Sequence, residues 1–304
     1  MQLPAAVQLR EVGPRDGFQN EPEIISTDDK VRLIDALART GLRRLELTSF
    51  VRADVIPQLA DAREVLRRVE LPDGVSASVL IPNERGFDDA LTMRERFHEI
   101  TCFLSASESH NQANVNRSIE RSLAGLERVI GRAVAEGLRA EGVISVSFGC
   151  PYEGRVPPER VWAIARRLVD AGATEIAFGD TTGMANPVQV GEFFEQAAGE
   201  LAGVELTAHF HNTRGQGLAN VLAALQAGCR SFESSFGELG GCPVPQGATG
   251  NIATEDLVSM LHEMGIATGV DLVRLLAVTA DARAVLGRPL GSHTLVAGPV
   301  EWHA

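Results

Sequence analysis

Short apolar segments alternate with longer amphipathic segments along almost the whole chain. The short segments are rich in β-branched and other apolar residues, a composition typical of buried strands. They predict eight strands, at residues 7–12, 44–49, 75–81, 99–105, 142–148, 175–178, 204–210 and 230–234. The longer segments carry apolar residues at helical spacing, so a helix is expected after each strand.

The predicted helices cover residues 27–40, 57–69, 84–93, 118–136, 158–171, 187–201, 218–227 and 255–264, with one more at 271–286. Ser26 or Thr27 is the expected cap of the first. Regular alternation of strands and helices predicts a parallel sheet with crossover helices. Eight units favour a closed (β/α)₈ TIM barrel, and an open doubly wound sheet is the alternative. We predict one domain over residues 1–304, with a helical C-terminal extension at about 265–304.

Composition narrows the class of protein. A length of 304 residues suits one barrel domain. No apolar run approaches the roughly 20 residues of a membrane helix, and the N-terminus resembles neither a secretory signal nor a transit peptide. We therefore expect a cytoplasmic protein without membrane contact. The net charge of −12 argues against general nucleic-acid binding but permits a phosphate-bearing cofactor.

A barrel of this kind predicts chemistry at the carboxyl ends of its strands. The seventh predicted strand ends with His209 and His211, whose side chains share one face because residues alternate along a strand. Two imidazoles there can bind one metal ion or can be hydrogen-bonded at the rim. Their position favours the metal.

Two oxygen ligands are expected beside the histidines. Asp16 lies just past the first strand, and Asn251 ends a glycine-rich loop after the eighth. Two imidazoles, a carboxylate and an amide oxygen, without thiolate, suit Mg²⁺ or Mn²⁺, and Zn²⁺ is the second choice.

Further polar groups lie at other strand ends. Arg15 is a forked cationic donor suited to a carbonyl or a developing enolate oxygen, although the segment also fits an ordinary turn. Glu46, among apolar residues, needs a partner such as Arg15, in either a structural or a catalytic pair. Asp180 either orients a ligand histidine or caps the next helix.

Four cysteines occur, without a Cys-x-x-Cys pair, and we expect reduced thiols. Cys242 lies on the glycine-rich loop over the predicted mouth, where a reactive thiol is expected. Cys150, Cys102 and Cys229 are expected to be structural.

Several motifs span nearly the whole chain: Gly-Pro-Arg-Asp-Gly-Phe-Gln-Asn at 13–20, Glu-Leu-Thr-Ser-Phe at 46–50, Gly-Cys-Pro-Tyr-Glu-Gly at 149–154, Gly-Asp-Thr at 179–181, Gly-Gly-Cys-Pro at 240–243 and Gly-Asn-Ile-Ala-Thr-Glu-Asp-Leu at 250–257. Together they resemble the 3-hydroxy-3-methylglutaryl-CoA (HMG-CoA) lyase family, in its bacterial form. The Arg-Asp and His-x-His motifs are shared with related synthases and aldolases, and the cysteine loop narrows the resemblance to the lyase.

The resemblance implies an acyl-CoA substrate and cleavage of HMG-CoA to acetyl-CoA and acetoacetate. It implies Asp16, His209, His211 and Asn251 as metal ligands and Cys242 as the catalytic thiol. Arg15, with Gln19, would bind substrate, and Glu46 and Asp180 would support the site. We also expect a homodimer or a higher homo-oligomer.

Several alternatives stay open. The general base is either His209 or Asp16. The substrate can be another 3-hydroxyacyl-CoA, of the citramalyl or methylmalyl type. The acyl group is left open because Asn212 and Arg214 depart from the family pattern. A condensing synthase and a non-catalytic CoA-binding barrel are the more distant alternatives.

Overall fold

The computed structural model describes residues 3–241 and 250–302. Eight parallel strands close into a barrel in the order β1-β10-β9-β8-β5-β4-β3-β2. The strands are β1 Gln8–Glu11, β2 Arg44–Ser49, β3 Ser76–Leu80, β4 Glu99–Ser105, β5 Arg139–Ser145, β8 Glu175–Asp180, β9 Glu205–Phe210 and β10 Ser231–Ser234. Two short strands, β6 Gly149–Cys150 and β7 Gly154–Arg155, form an antiparallel hairpin outside it. The predicted (β/α)₈ barrel is confirmed, and the open sheet is excluded.

Helices surround the barrel and complete each crossover. They are α1 Thr27–Ala38, α2 Ala62–Arg68, α3 Glu84–Leu91, α4 Glu108–Val115, α5 Ile119–Ala135, α6 Pro158–Asp170, α7 Pro187–Glu200, α8 Gly217–Gln226, α9 Thr254–Glu263, α10 Leu272–Leu286 and α11 His293–Ala297. Ser26 caps α1 by accepting the backbone N–H of Asp29, which settles the choice left open between Ser26 and Thr27. Within the described ranges, no helix combines the length and apolar character needed to cross a membrane.

The predicted C-terminal extension contains two helices. α10 packs against α1 and α9, and α11 packs against α9 and α10. The carboxylate of Asp256 in α9 accepts the backbone N–H groups of His293 and Thr294, which attaches the start of α11. The organisation of residues 1–304 as a single domain stays a prediction.

The fifth barrel strand begins and ends three residues earlier than predicted, at Arg139 and Ser145. Val146 has a φ of 53°, which ends the extended chain there. The polar start of the strand pairs with β4, where Arg139 lies opposite Glu99. The strand therefore includes charged residues that an apolar pattern assigns to a loop.

One of those charged residues, Glu141, belongs to a buried cluster inside the barrel, which we call the interior network. It consists of Arg10, Arg44, Glu99, Glu141, Glu175 and Glu233. Arg10 donates to Glu99 and Glu175 at 3.0 Å, to Glu233 at 3.2 Å and to Glu141. Arg44 donates to Glu99 at 2.7 Å and to Glu175. Buried charges persist only when paired, so the two arginines are what allows these carboxylates inside the barrel.

Candidate metal and active site

The chain after β1 turns at once into a π-helical turn, Gly13–Gly17, which carries Arg15 and Asp16 at the barrel mouth. The Oδ1 atom of Asp16 accepts from Arg15 Nη1 at 2.6 Å and from Gln19 Nε2 at 2.8 Å. Burial opposes ionisation, but Arg15, the two nearby histidines and Asn251 together hold the pKa of Asp16 below its ordinary value. Asp16 is therefore an ionised oxygen donor.

The predicted pair at the end of β9 lies beside it. The Nε2 atoms of His209 and His211 are 3.1 Å apart. Ligand atoms of Asp16, His209 and His211 all lie within 4.8 Å of one another. Two imidazole nitrogens this close need a proton or a cation between them, because each neutral ring carries a lone pair at its unprotonated nitrogen. The pair thus marks a position that attracts a cation.

Asn251 completes the cluster from the far end of the chain. Its backbone forms an isolated antiparallel bridge with His211. Its Nδ2 atom donates to Asp16 Oδ2 at 2.8 Å and to the carbonyl of Leu239 at 3.0 Å. Its Oδ1 atom is buried, and the described residues offer it no hydrogen-bond partner. A buried amide oxygen without a donor is costly unless a cation or another ligand supplies the missing partner.

Glycine at position 240 is required for this arrangement. Gly240 has a φ of 114°, and a Cβ atom there would lie 2.6 Å from Asn251 Nδ2. Any side chain would displace the amide that bridges to Asp16. We call Asp16, His209, His211 and Asn251 the strand-end site.

The strand-end site fits a divalent metal. Two ligands at right angles on an ion with bonds of about 2.1 Å lie about 3.0 Å apart, close to the observed separation of the two imidazole nitrogens. The donor set is two imidazoles, a carboxylate and an unpartnered amide oxygen. The structure brings all four predicted ligands together, and their binding of a metal stays a proposal.

Arg15 and Glu46 form the pair expected from the sequence. Arg15 Nε donates to Glu46 Oε2 at 2.5 Å. Burial raises the pKa of Glu46 in spite of the neighbouring guanidinium. The contact fixes the direction of the Arg15 fork while its Nη1 nitrogen binds Asp16. Arg15 is thereby held beside the strand-end site.

Asp180 makes no hydrogen bond with His209 or His211 among the described residues. Its Oδ1 atom accepts the backbone N–H groups of Met184 and Ala185, at 2.8 and 3.0 Å. Burial raises its pKa to about 7. Both N–H groups lie in the turn ahead of α7, whose N-cap is Asn186, so these hydrogen bonds support neither of the two roles left open. A catalytic role for Asp180 stays a prediction.

The acceptor on His209 is instead Glu233, which the sequence reasoning missed. His209 Nδ1 donates to Glu233 Oε2 at 2.8 Å. Burial alone would raise the pKa of Glu233, but His209 and Arg10 outweigh it and lower that pKa. The available signal was a glutamate inside a predicted barrel strand, next to Phe232.

The remaining predicted residues have different outcomes. Cys242 lies outside the described residues, so its role stays a prediction. Gln19 donates to Asp16, and its substrate contact also stays a prediction. Cys150 is buried and its thiol donates to Ser107 Oγ at 3.0 Å, as a structural residue would. Burial raises the pKa of Cys102 and Cys229 to about 12, which makes both thiols unreactive.

A parallel eight-stranded barrel with an Asp-His-His cluster at the carboxyl ends of its strands defines the class of barrel proteins that can hold a divalent metal at the mouth. The HMGL-like family model matches residues 6–281. The chain belongs to the HMGL-like family, and the resemblance drawn from its motifs is confirmed.

Curated relatives and solved structures agree. The chain is 43% identical over 295 residues to hydroxymethylglutaryl-CoA lyase YngG of Bacillus subtilis, covering 97% of this chain and 98% of the relative. It is 44% identical over 282 residues to hydroxymethylglutaryl-CoA lyase of Pseudomonas mevalonii, covering 93% of each.

Among solved structures, the B. subtilis HMG-CoA lyase superposes with a TM-score of 0.94 at 43% identity, covering 98% of this chain and 99% of that one. An HMG-CoA lyase from Acinetobacter baumannii, in complex with coenzyme A and 3-methylmalate, has a TM-score of 0.93 at 38% identity, covering 100% and 99%. The carboxyl transferase domain of Rhizobium etli pyruvate carboxylase, at 17% identity, shares only the fold.

Proposed function

We propose that this protein is a metal-dependent carbon–carbon lyase that cleaves HMG-CoA to acetyl-CoA and acetoacetate. The observation that carries the proposal is the strand-end site, with Arg15 held against it by Glu46. Relatives with the printed name hydroxymethylglutaryl-CoA lyase support the substrate, at 43–44% identity over nearly the whole chain. The complex of the A. baumannii lyase with coenzyme A supports a CoA thioester.

A divalent ion bound by Asp16, His209, His211 and Asn251 would act as a Lewis acid that favours ionisation of the 3-hydroxyl group of the substrate. The donor set supports Mg²⁺ or Mn²⁺ above Zn²⁺, because it contains no thiolate and half of it is oxygen.

Residues of the chain would transfer the protons and stabilise the negative charge of the enolate. His209 or Asp16 takes the hydroxyl proton, and both remain candidates for this base. The C2–C3 bond then breaks: C3 becomes the ketone of acetoacetate, and the bond electrons pass into the thioester carbonyl as an enolate. Arg15 stabilises the enolate oxygen. Cys242, or a water beside it, returns a proton to C2 to give acetyl-CoA.

Product identification tests the proposal. Purified protein with HMG-CoA and Mg²⁺ or Mn²⁺ is expected to release acetyl-CoA and acetoacetate in equal amounts, detected by mass spectrometry. A chelator is expected to stop the reaction and added metal to restore it. Absence of both products under these conditions would rule the activity out.

The thiol is tested separately. Cys242→Ala is expected to lower turnover by about a hundredfold or more while metal content stays unchanged, because it removes only the proton donor. Cys229→Ala is the matched control, since that thiol is buried beside β10 and is expected to leave turnover within about twofold. Full activity of Cys242→Ala would remove the thiol from the mechanism.

A thioester with a different acyl group is a second candidate substrate. The A. baumannii relative was solved with 3-methylmalate, a hydroxy diacid with a four-carbon chain and a methyl branch. Cleavage of a citramalyl-CoA-like or methylmalyl-CoA-like thioester is therefore the second candidate, and a panel of 3-hydroxyacyl-CoA thioesters distinguishes the two by kcat/KM. A cytoplasmic location and a homo-oligomeric state remain predictions.

A further inference from the structure

We propose that Glu233 is a positioning residue that fixes the orientation and the tautomer of His209, and that Arg10 holds Glu233 in place for this task. The interior network would then help to set the metal affinity of the strand-end site. The inference rests on the proposed metal site and deepens it.

The strand register places the two residues side by side. β9 and β10 are parallel neighbours, and His209 lies directly opposite Glu233. Both side chains are buried, with exposed fractions of 11% and 4%. The 2.8 Å contact between Nδ1 and Oε2 is therefore made away from bulk water. A buried hydrogen bond to an ionised group is stronger than an exposed one, so Glu233 can hold the ring firmly.

The contact determines which imidazole nitrogen carries the hydrogen. A neutral imidazole has one N–H group, and an ionised carboxylate can only accept. With Glu233 at Nδ1, the hydrogen of His209 is placed there, and the lone pair of Nε2 points to the position next to His211 Nε2. That is the protonation state a metal ligand needs, and with the metal bound it leaves His209 no free lone pair, so under this inference the base of the proposed reaction is Asp16.

Arg10 fixes the carboxylate from the other side. The two oxygens of Glu233 are divided between partners, with Oε2 on His209 and Oε1 on Arg10 Nη1 at 3.2 Å. Arg10 itself cannot move freely, because it also binds Glu99 and Glu175. The orientation of His209 is thus linked, through Glu233 and Arg10, to the interior network.

Metal affinity tests the inference without relying on turnover. The Kd for Mn²⁺ is measured by isothermal titration calorimetry on wild type and Glu233→Gln. Glutamine keeps the volume but presents an uncharged amide to both His209 and Arg10. We expect the Kd of Glu233→Gln to rise by about 10- to 100-fold, the range typical for partners of metal ligands.

Glu141→Gln is the matched control. Glu141 is buried, faces the barrel interior and binds the same Arg10 nitrogen, yet it makes no hydrogen bond with His209. We expect its Kd to stay within about threefold of wild type. Equal weakening in both variants would mean that loss of any interior carboxylate disturbs the site, and would overturn the positioning role of Glu233.

The tautomer supplies a second readout that needs no variant. In metal-free protein labelled with ¹⁵N at histidine, long-range ¹H–¹⁵N correlation spectra at pH 9 distinguish Nδ1–H from Nε2–H. We expect His209 to be the Nδ1–H form in wild type, and a mixture to appear in Glu233→Gln. An Nε2–H form in wild type would overturn the inference even if Glu233→Gln failed to fold.

The failure of the inference and that of the proposed function are distinguishable. If wild type binds no Mn²⁺, the metal site itself is wrong. If wild type binds Mn²⁺ and Glu233→Gln binds it equally well, only the role of Glu233 fails.

Discussion

The interior network and the strand-end site belong to the same barrel, yet their buried acceptors differ in the partners that the chain provides. In the interior network, carboxylates from four strands meet guanidinium groups supplied by the chain, Arg10 and Arg44. In the strand-end site, an ionised carboxylate, two imidazoles and an amide oxygen converge. There Asn251 Oδ1 has no donor among the described residues.

The difference shows how a structural cluster can be separated from a binding cluster of similar composition. A structural cluster brings its own cations, so each carboxylate of the interior network places at least one oxygen on a guanidinium of the chain. A binding cluster leaves acceptors directed at one point, and an ion from outside completes it. Glu233 contacts both clusters, with one oxygen on Arg10 and the other on His209.

Removing a cation from the interior network is expected to have the largest effect, and the effect should be on stability. Arg10→Met leaves buried carboxylates without their shared partner, which should lower the free energy of unfolding by about 3–5 kcal/mol. Urea unfolding of the metal-free protein measures it. Arg63→Met, at an exposed pair with Asp89, is the control and is expected to stay within about 0.5 kcal/mol of wild type. A loss below about 1 kcal/mol in Arg10→Met would contradict this account.

Removing a ligand from the strand-end site should instead affect binding. His211→Ala is expected to weaken metal affinity by at least about a hundredfold and to abolish turnover, since even partners of ligands contribute 10- to 100-fold. Its metal content is measured by inductively coupled plasma mass spectrometry after gel filtration. His262→Ala, at an exposed histidine bonded to Thr268, is the control. Metal content equal to that of wild type in His211→Ala would remove this residue from the ligand set.

A smaller effect is expected from crowding the amide. Gly240→Ala would place a methyl group against Asn251 Nδ2, and we expect metal affinity to fall by about tenfold. Gly228→Ala is the control for backbone strain alone. Gly228 has a similar φ of 102°, and a Cβ atom added there would have nothing within 4 Å. Both variants should lose about 1–2 kcal/mol of stability. Only Gly240→Ala should lose metal affinity, and equal affinities would show that the amide tolerates the methyl group.

The smallest expected effect is on the pH dependence of stability. It comes from two buried carboxylates whose described partners include no arginine and which lie outside the strand-end site. Glu11 and Glu255 accept backbone N–H groups of Gly13, Phe236 and Gly237. Burial raises their pKa values, to about 8 for Glu11 and about 7 for Glu255. The folded protein then keeps protons that the unfolded chain loses near pH 4.5, so their contribution to stability is complete below that pH. It declines as the pH rises through 7 and 8.

Urea unfolding at pH 5.5 and pH 8.5 measures this decline. Glu255→Gln cannot ionise, so its free energy of unfolding should fall less between the two pH values than that of wild type. The same fall in both proteins would show that Glu255 is already ionised in the folded state.

The barrel and most of the strand-end site could be predicted because they follow local rules. Strand–helix alternation predicted the fold, and His209 and His211 are two positions apart at the end of one strand. The apolar pattern failed for elements that are rich in polar residues. The strand Arg139–Ser145 begins with charged residues that resemble a surface loop, although Glu141 is buried and meets Arg10 across the barrel. The helix Glu108–Val115 is too polar to show a clear apolar face. Glu233 was missed because its contact with His209 depends on strand register, which a single sequence does not reveal.

The bond between Asp16 and Asn251 joins positions 235 residues apart. Asp16 follows the first barrel strand and Asn251 follows the last, so the site exists only once the two ends of the sheet have met. During synthesis, nearly the entire barrel would have to leave the ribosome before all four residues of the site could bind one ion. Ion binding would then stabilise only chains whose barrel has closed, by mass action, and would not stabilise incomplete chains.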